Sequence, residues 1–114
     1  MALKRNLIGE LVAEFILCEG RHECPVKESI FPSVVPVLAF GKLELEAENI
    51  LFPLKQQGLK KLVIYVTGCT SALIAVINAA QRLHVRDIVL MHYDSVNNGY
   101  QPQHLVTYTD MTWE

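Results

Sequence analysis

Apolar and polar residues are arranged most informatively between Lys60 and Asn78. A charged pair gives way to the unbroken apolar run Leu62-Val63-Ile64-Tyr65-Val66, followed by the small, hydroxyl-rich Thr67-Gly68-Cys69-Thr70-Ser71 and then Ala72-Leu73-Ile74-Ala75-Val76-Ile77. The first run has the length and composition of a buried strand, and the last has the pattern of a helix. The spacing predicts a strand over Leu62 to Val66, a helix over Ser71 to Leu83 and a second strand over Asp87 to Tyr93. A right-handed crossover would set the two strands parallel, with ligands bound outside their carboxyl ends. Asn97-Asn98-Gly99 then signals a tight turn, with Tyr100 to Thr109 returning as an antiparallel strand. Pro102 predicts that this strand begins at a sheet edge.

Upstream, the pattern is less decisive. Leu11-Val12-Ala13-Glu14-Phe15-Ile16-Leu17-Cys18 is rich in strand formers and ends at Glu19-Gly20, which predicts a strand, with a short helix as the alternative. Val34 to Phe40 carries Pro36 and follows Pro32, fitting an edge strand or an extended connection. Leu43 to Glu48 alternates like a strand, but Leu45, Asn49 to Leu51 and Leu54 recur at helical spacing. A helix from about Glu44 to Gln57, distorted near Pro53 and stopped by Gly58, supplies the crossover that the Leu62 strand requires. The fold class expected from the pattern is therefore α/β, with a mainly parallel central sheet and an antiparallel C-terminal hairpin.

Composition narrows the function classes. The 114 residues fit one domain spanning 1–114, and 51% hydrophobic against 19% charged residues is an apolar balance for so short a chain. Part of that apolar surface is expected to be covered by a second copy, as a homodimer or larger homo-oligomer. A formal net charge of -2 provides no global field for long duplex nucleic acid, while a local site for a small anion is still allowed. The basic opening Met1 to Arg5 precedes short apolar segments broken by Glu10, Glu14 and Glu19, unlike an export signal or membrane span. The expectation is a cytoplasmic protein with no membrane partner.

Candidate chemistry concentrates in the turn after the Leu62 strand. Such a turn aims several backbone N–H groups at one spot, and the helix start adds partial positive charge. Thr67, Thr70 and Ser71 can donate hydroxyl hydrogen bonds, and Gly68 permits close approach to the main chain. A phosphate site is one reading; an ordinary helix cap by Thr70 or Ser71 is the other. The turn lacks the lysine of a P-loop and the full spacing of a dinucleotide fingerprint. Cys69 sits where a helix start can activate a thiol, but no Arg follows at phosphatase spacing and no Gly-x-Ser-x-Gly elbow is present.

Two further groups merit attention. His92 and Asp94 are two apart and so share a strand face, and His104 on the return strand would complete a cluster suited to acid and base steps or a divalent metal. Alternatively, Asp94 starts the hairpin turn by accepting backbone N–H bonds. Cys18, His22 and Cys24 have ligating chemistry, but their spacing matches no common zinc motif, and Cys18 also fits as a buried strand residue. No metal or cofactor is expected.

With these motifs placed, the C-terminal half, from about Leu59 to Tyr108, resembles CRISPR-associated Rossmann-like (CARF-type) domains, and more narrowly the small ring nucleases and cyclic oligoadenylate sensors of type III CRISPR systems. The resemblance implies a homodimer that binds cyclic oligoadenylate, expected to be cyclic tetra-adenylate, across its two-fold axis. It assigns ligand binding to Thr67, Gly68, Cys69, Thr70, Ser71, Asp94 and Gln103. Cleavage would use ribose 2′-hydroxyl attack on the adjacent phosphate, with Thr67, Thr70, His92, Asp94 and His104 as the catalytic candidates. The alternatives are a non-catalytic sensor acting on a partner and a structural interaction protein.

Overall fold

In the computed structural model the described residues are 2–19, 24–32 and 35–106. The sheet begins with β1 (Leu3–Arg5), β2 (Leu11–Cys18) and β3 (Ser29–Phe31). The helix α1 (Phe40–Gln56) leads to β4 (Leu59–Tyr65), and α2 (Thr70–Arg82) leads to β5 (Asp87–Asp94) and β6 (Gly99–Leu105). All six strands join one sheet in the order β1-β2-β4-β5-β6, with β3 also pairing β2. β2, β4 and β5 run parallel, whereas β1 and β6 pair antiparallel at the two ends. The fold is thus α/β with a mixed sheet, and Pro102 does lie on an edge strand.

Both helices cover the same face. Leu43, Ala47 and Leu51 recur every four residues along α1, the spacing that aligns side chains on one side of a helix, and all three are fully buried. On α2 the buried positions are Ala72, Ala75, Val76, Ala79 and Ala80, and such small side chains let the helix lie close to its neighbours. These residues pack with Ala13, Phe15, Leu17, Leu62, Ile64, Ile88 and Leu90 from the central strands into the main core. A second, smaller cluster of Val12, Val63, Tyr65 and Val89 lies on the opposite face, as the two-residue period of a strand requires.

Several boundaries differ from expectation. α1 starts at Phe40, earlier than Glu44, because Leu43 is already a core position, and it continues through Pro53 to Gln56. Pro53 cannot donate the helical hydrogen bond to the Asn49 carbonyl, and both residues are exposed. Gly58, with φ of 102°, then turns the chain out of the helix in the left-handed region. Residues 35–39 form no strand. The expected strand ending at Thr109 closes at Leu105, and Thr107 to Thr109 lie outside the described residues.

Candidate functional site

The carboxyl ends of the parallel strands bring three predicted features to one edge. Val66 N–H donates to the Met91 carbonyl at 2.9 Å, so the chain leaves β4 directly beside His92. It then turns at Gly68, whose φ of 65° is in the left-handed region. A Cβ there would meet nothing within 4 Å, so glycine answers a backbone requirement and leaves space in front of the turn. Cys69 N–H donates to the Thr67 carbonyl at 2.8 Å, closing the turn before α2 begins.

The start of α2 is uncapped. Cys69 occupies the position before the helix in an extended conformation, and no side chain accepts a hydrogen bond from the first turn. The backbone N–H groups of Thr70, Ser71 and Ala72 have no acceptor among the described residues. An exposed Thr70 and a half-buried Ser71 flank them, and the Ser71 hydroxyl lies 3.6 Å from the Cys69 sulfur. Free amides and the positive end of the helix can therefore receive an anion here. The ordinary capping role open to Thr70 or Ser71 is not taken up.

Thr67 serves the framework. Its Oγ1 donates to the Cys18 carbonyl and accepts from the Cys18 N–H, both at 3.0 Å. The side chain thus continues the β2–β4 ladder where strand pairing has ended, and its hydroxyl proton is committed to the backbone. The Cys18 thiol beside it is pushed up to about 11, first by burial and then by the neighbouring Cys69 thiol, with the Thr67 hydroxyl opposing the rise. Cys18 is therefore a neutral core residue at ordinary pH.

At the hairpin the register divides the remaining candidates. His92 pairs with Gln101 and Leu90 with Gln103, placing His92, Gln101 and Gln103 on the helix-covered face. His92 Nε2 and Gln103 Oε1 are 2.7 Å apart, within hydrogen-bond distance. His104 pairs with Val89, which belongs to the cluster on the opposite face. The expected grouping of His92, Asp94 and His104 is therefore corrected: His104 points away from the other two.

Asp94 anchors the hairpin loop. One carboxylate oxygen accepts the N–H groups of Val96 and Asn97 at 3.0 and 3.2 Å, and the other accepts Asn97 Nδ2 at 2.7 Å. The Asn97 side chain chiefly, then its backbone N–H, hold the Asp94 carboxyl below its usual range. This is the turn-forming role, and it occupies both oxygens.

Among the described residues no group of three His, Cys, Asp or Glu comes together. Of the zinc candidates, His22 lies outside the described residues. Cys18 packs in the helix-side core, while Cys24 packs against the opposite cluster with its sulfur 2.9 Å from the Tyr100 hydroxyl. Sequence reasoning missed both the Thr67–Cys18 lock and the Cys24–Tyr100 contact. Each joins residues far apart in the chain, and no local pattern announces such a pairing.

The candidate groups at the strand ends are thus Gly68, the unpaired amides and the hydroxyls of Thr70 and Ser71, and, on the neighbouring strand, the His92–Gln103 pair. No described helix is long and apolar enough to cross a membrane. Comparison with protein-family models, curated proteins and solved structures finds no match to this chain.

Proposed function

We propose that this protein binds cyclic oligoadenylate, with cyclic tetra-adenylate as the expected ring, at a homodimer interface and opens it by in-line attack of a ribose 2′-hydroxyl, switching off type III CRISPR signalling. The observation that carries the reading is the uncapped start of α2 at the carboxyl edge of parallel strands, with the free amides of Thr70 and Ser71 behind a glycine that leaves room for a ligand. A phosphate of the ring accepts from these amides and from the Thr70 and Ser71 hydroxyls. The nucleophile belongs to the RNA, so the protein's task is to hold the 2′-oxygen in line and stabilise charge on the phosphate. His92, oriented by Gln103, is the available proton-transfer group.

A CARF-type, Rossmann-like arrangement is consistent with the parallel β2, β4 and β5 and with a ligand at their carboxyl ends. One observation favours a second reading, a non-catalytic sensor: the Thr67 hydroxyl and both Asp94 oxygens are already engaged within the fold. That leaves few groups for proton transfer.

Incubation with cyclic tri-, tetra- and hexa-adenylate, with and without chelator, followed by chromatography, distinguishes these readings. Linear product that disappears in His92→Ala supports the nuclease. Intact ring that co-elutes with the protein supports the sensor. A ring that neither binds nor changes overturns both.

A further inference from the structure

Two of the three cysteines meet beneath the turn that precedes α2. Cys18 closes β2 and is buried, while Cys69 stands half-buried just before α2. Thr67 ties them together: its Oγ1 bonds both backbone groups of Cys18 at 3.0 Å, and its carbonyl accepts the Cys69 N–H at 2.8 Å. Both cysteines pack in the helix-side core. Burial raises the Cys18 thiol, and the Cys69 thiol adds to the rise, partly through a hydrogen bond between the two side chains. The sulfurs are therefore neighbours. Cys24, the remaining thiol, packs against the opposite cluster with its sulfur 2.9 Å from the Tyr100 hydroxyl.

The turn between the sulfurs has room to move. Hydrogen-bonded thiols stand farther apart than the about 2.05 Å of a disulfide, so a bond between them draws Cys69 toward Cys18. Gly68 is the pivot, with φ of 65° and nothing within 4 Å of where a Cβ would stand. The pull passes into α2 through the Cys69 carbonyl, which accepts the Leu73 N–H at 3.0 Å in the hydrogen bond that opens the helix. It also takes the Cys69 sulfur away from the Ser71 hydroxyl, now 3.6 Å distant. Both effects fall on the first turn of α2, whose amides and hydroxyls form the anion site.

We infer that Cys18 and Cys69 form a redox latch: a peroxide joins them in a reversible intramolecular disulfide that displaces the turn before α2 and weakens anion binding there. The half-buried Cys69 meets the oxidant first. Its sulfur takes one peroxide oxygen as the O–O bond breaks, giving a sulfenic acid and releasing water. The Cys18 sulfur then attacks the Cys69 sulfur, the S–O bond breaks, and hydroxide leaves with the Cys18 proton as a second water. Two thiols have lost two hydrogens and one hydrogen peroxide has become two waters. A thiol reductant reverses the change by exchange through a mixed disulfide. The effect on ligand rests on the reading of this turn as the cyclic oligoadenylate site.

Treating the reduced full chain with hydrogen peroxide, then counting thiols and mapping peptides by mass spectrometry, tests the bond without any ligand. Wild type should lose two thiols and yield a Cys18–Cys69 linked peptide, and Cys24→Ala should do the same. Oxidation should raise the melting temperature, since the bond joins distant parts of the chain, and should quicken hydrogen exchange at the Leu73 amide. Affinity for cyclic tetra-adenylate should fall about tenfold on oxidation, the worth of one amide–phosphate hydrogen bond, and recover with dithiothreitol. Cys18→Ala should bind the ring as reduced wild type does, with or without peroxide. If the ring binds neither form, the proposed ligand fails, while the linked peptide and the faster Leu73 exchange still support the latch. Three thiols surviving peroxide, a disulfide that uses Cys24 or joins two copies, or a linked peptide with unchanged Leu73 exchange and unchanged ring affinity would overturn it.

Discussion

The two faces of the sheet are built from the same strands by different means. Under the helices, aliphatic residues such as Leu62, Ile64, Ile88 and Leu17 interlock with α1 and α2, and no polar side chain among the described residues is buried there. On the other face, Val63 and Val89 give way to tyrosines at one end and to Lys4 and Lys61 at the other. One face serves stability, since burial behind a second layer removes apolar area from water. The other carries rings held against one another and charged side chains on the strands.

Shortening a side chain on the covered face should have the largest effect. Leu62→Ala opens a cavity in a fully buried site and is expected to cost about 2–5 kcal/mol in denaturant unfolding. Val63→Ala, one residue on and facing the other way, removes less buried volume and should cost about 1–2 kcal/mol. Equal losses would show that both faces are core and would erase the contrast.

Thr67→Val probes the edge where the faces meet. The variant keeps the shape but loses both hydrogen bonds to the Cys18 backbone, a cost of about 1–3 kcal/mol. If Thr67 is framework alone, affinity for cyclic tetra-adenylate is unchanged once the variant is folded. A large loss of affinity at unchanged stability would return Thr67 to the ligand site.

The strand, turn, helix, strand order of the C-terminal half was legible because each element there is long and carries its own period. Leu62 to Val66 reads as buried on both faces, and both clusters do claim residues from it. β1 and β3 escaped notice because three residues, as in Leu3-Lys4-Arg5, are too few to establish alternation. The candidate site was legible only as a location. Hairpin parity decided which side chains met: with Asp94 paired to Gly99, the four residues between them form an even loop that pairs even positions with odd ones. His92 and His104 are then forced to opposite faces. A turn signal at Asn97-Asn98-Gly99 does not reveal that loop length, and the roles of Thr67 and Asp94 depended on partners that only folding brings near.

Alkaline pH offers a smaller test of the covered face. The Cys18 thiol is raised from 9.0 to about 11 chiefly by burial. Its neutral form is favoured in the fold, so its contribution is fully present below pH 9 and is lost as pH rises toward 11. Unfolding free energy should fall by about 1–2 kcal/mol across that window, and Cys18→Ala should remove that part of the slope while leaving what the raised Tyr65 and Tyr100 hydroxyls contribute.

Asp94→Asn should have the smallest effect and gives the sharpest reading of the hairpin. Asparagine keeps one oxygen for the Val96 and Asn97 amides but loses the charge and the acceptor for Asn97 Nδ2; with the loop exposed, the melting temperature should still drop by less than in Thr67→Val. Because the folded carboxyl is held below its usual range, its stabilising contribution is present at neutral pH and lost as pH falls through the folded value. The difference in melting temperature between Asp94→Asn and wild type should therefore shrink in acid. If Asp94 acts only on the turn, ring opening by the variant at neutral pH proceeds at the wild-type rate. A rate that collapses while the fold stays intact would place the carboxylate among the reacting groups, and the edge built from α2 and His92 would then extend to the hairpin loop.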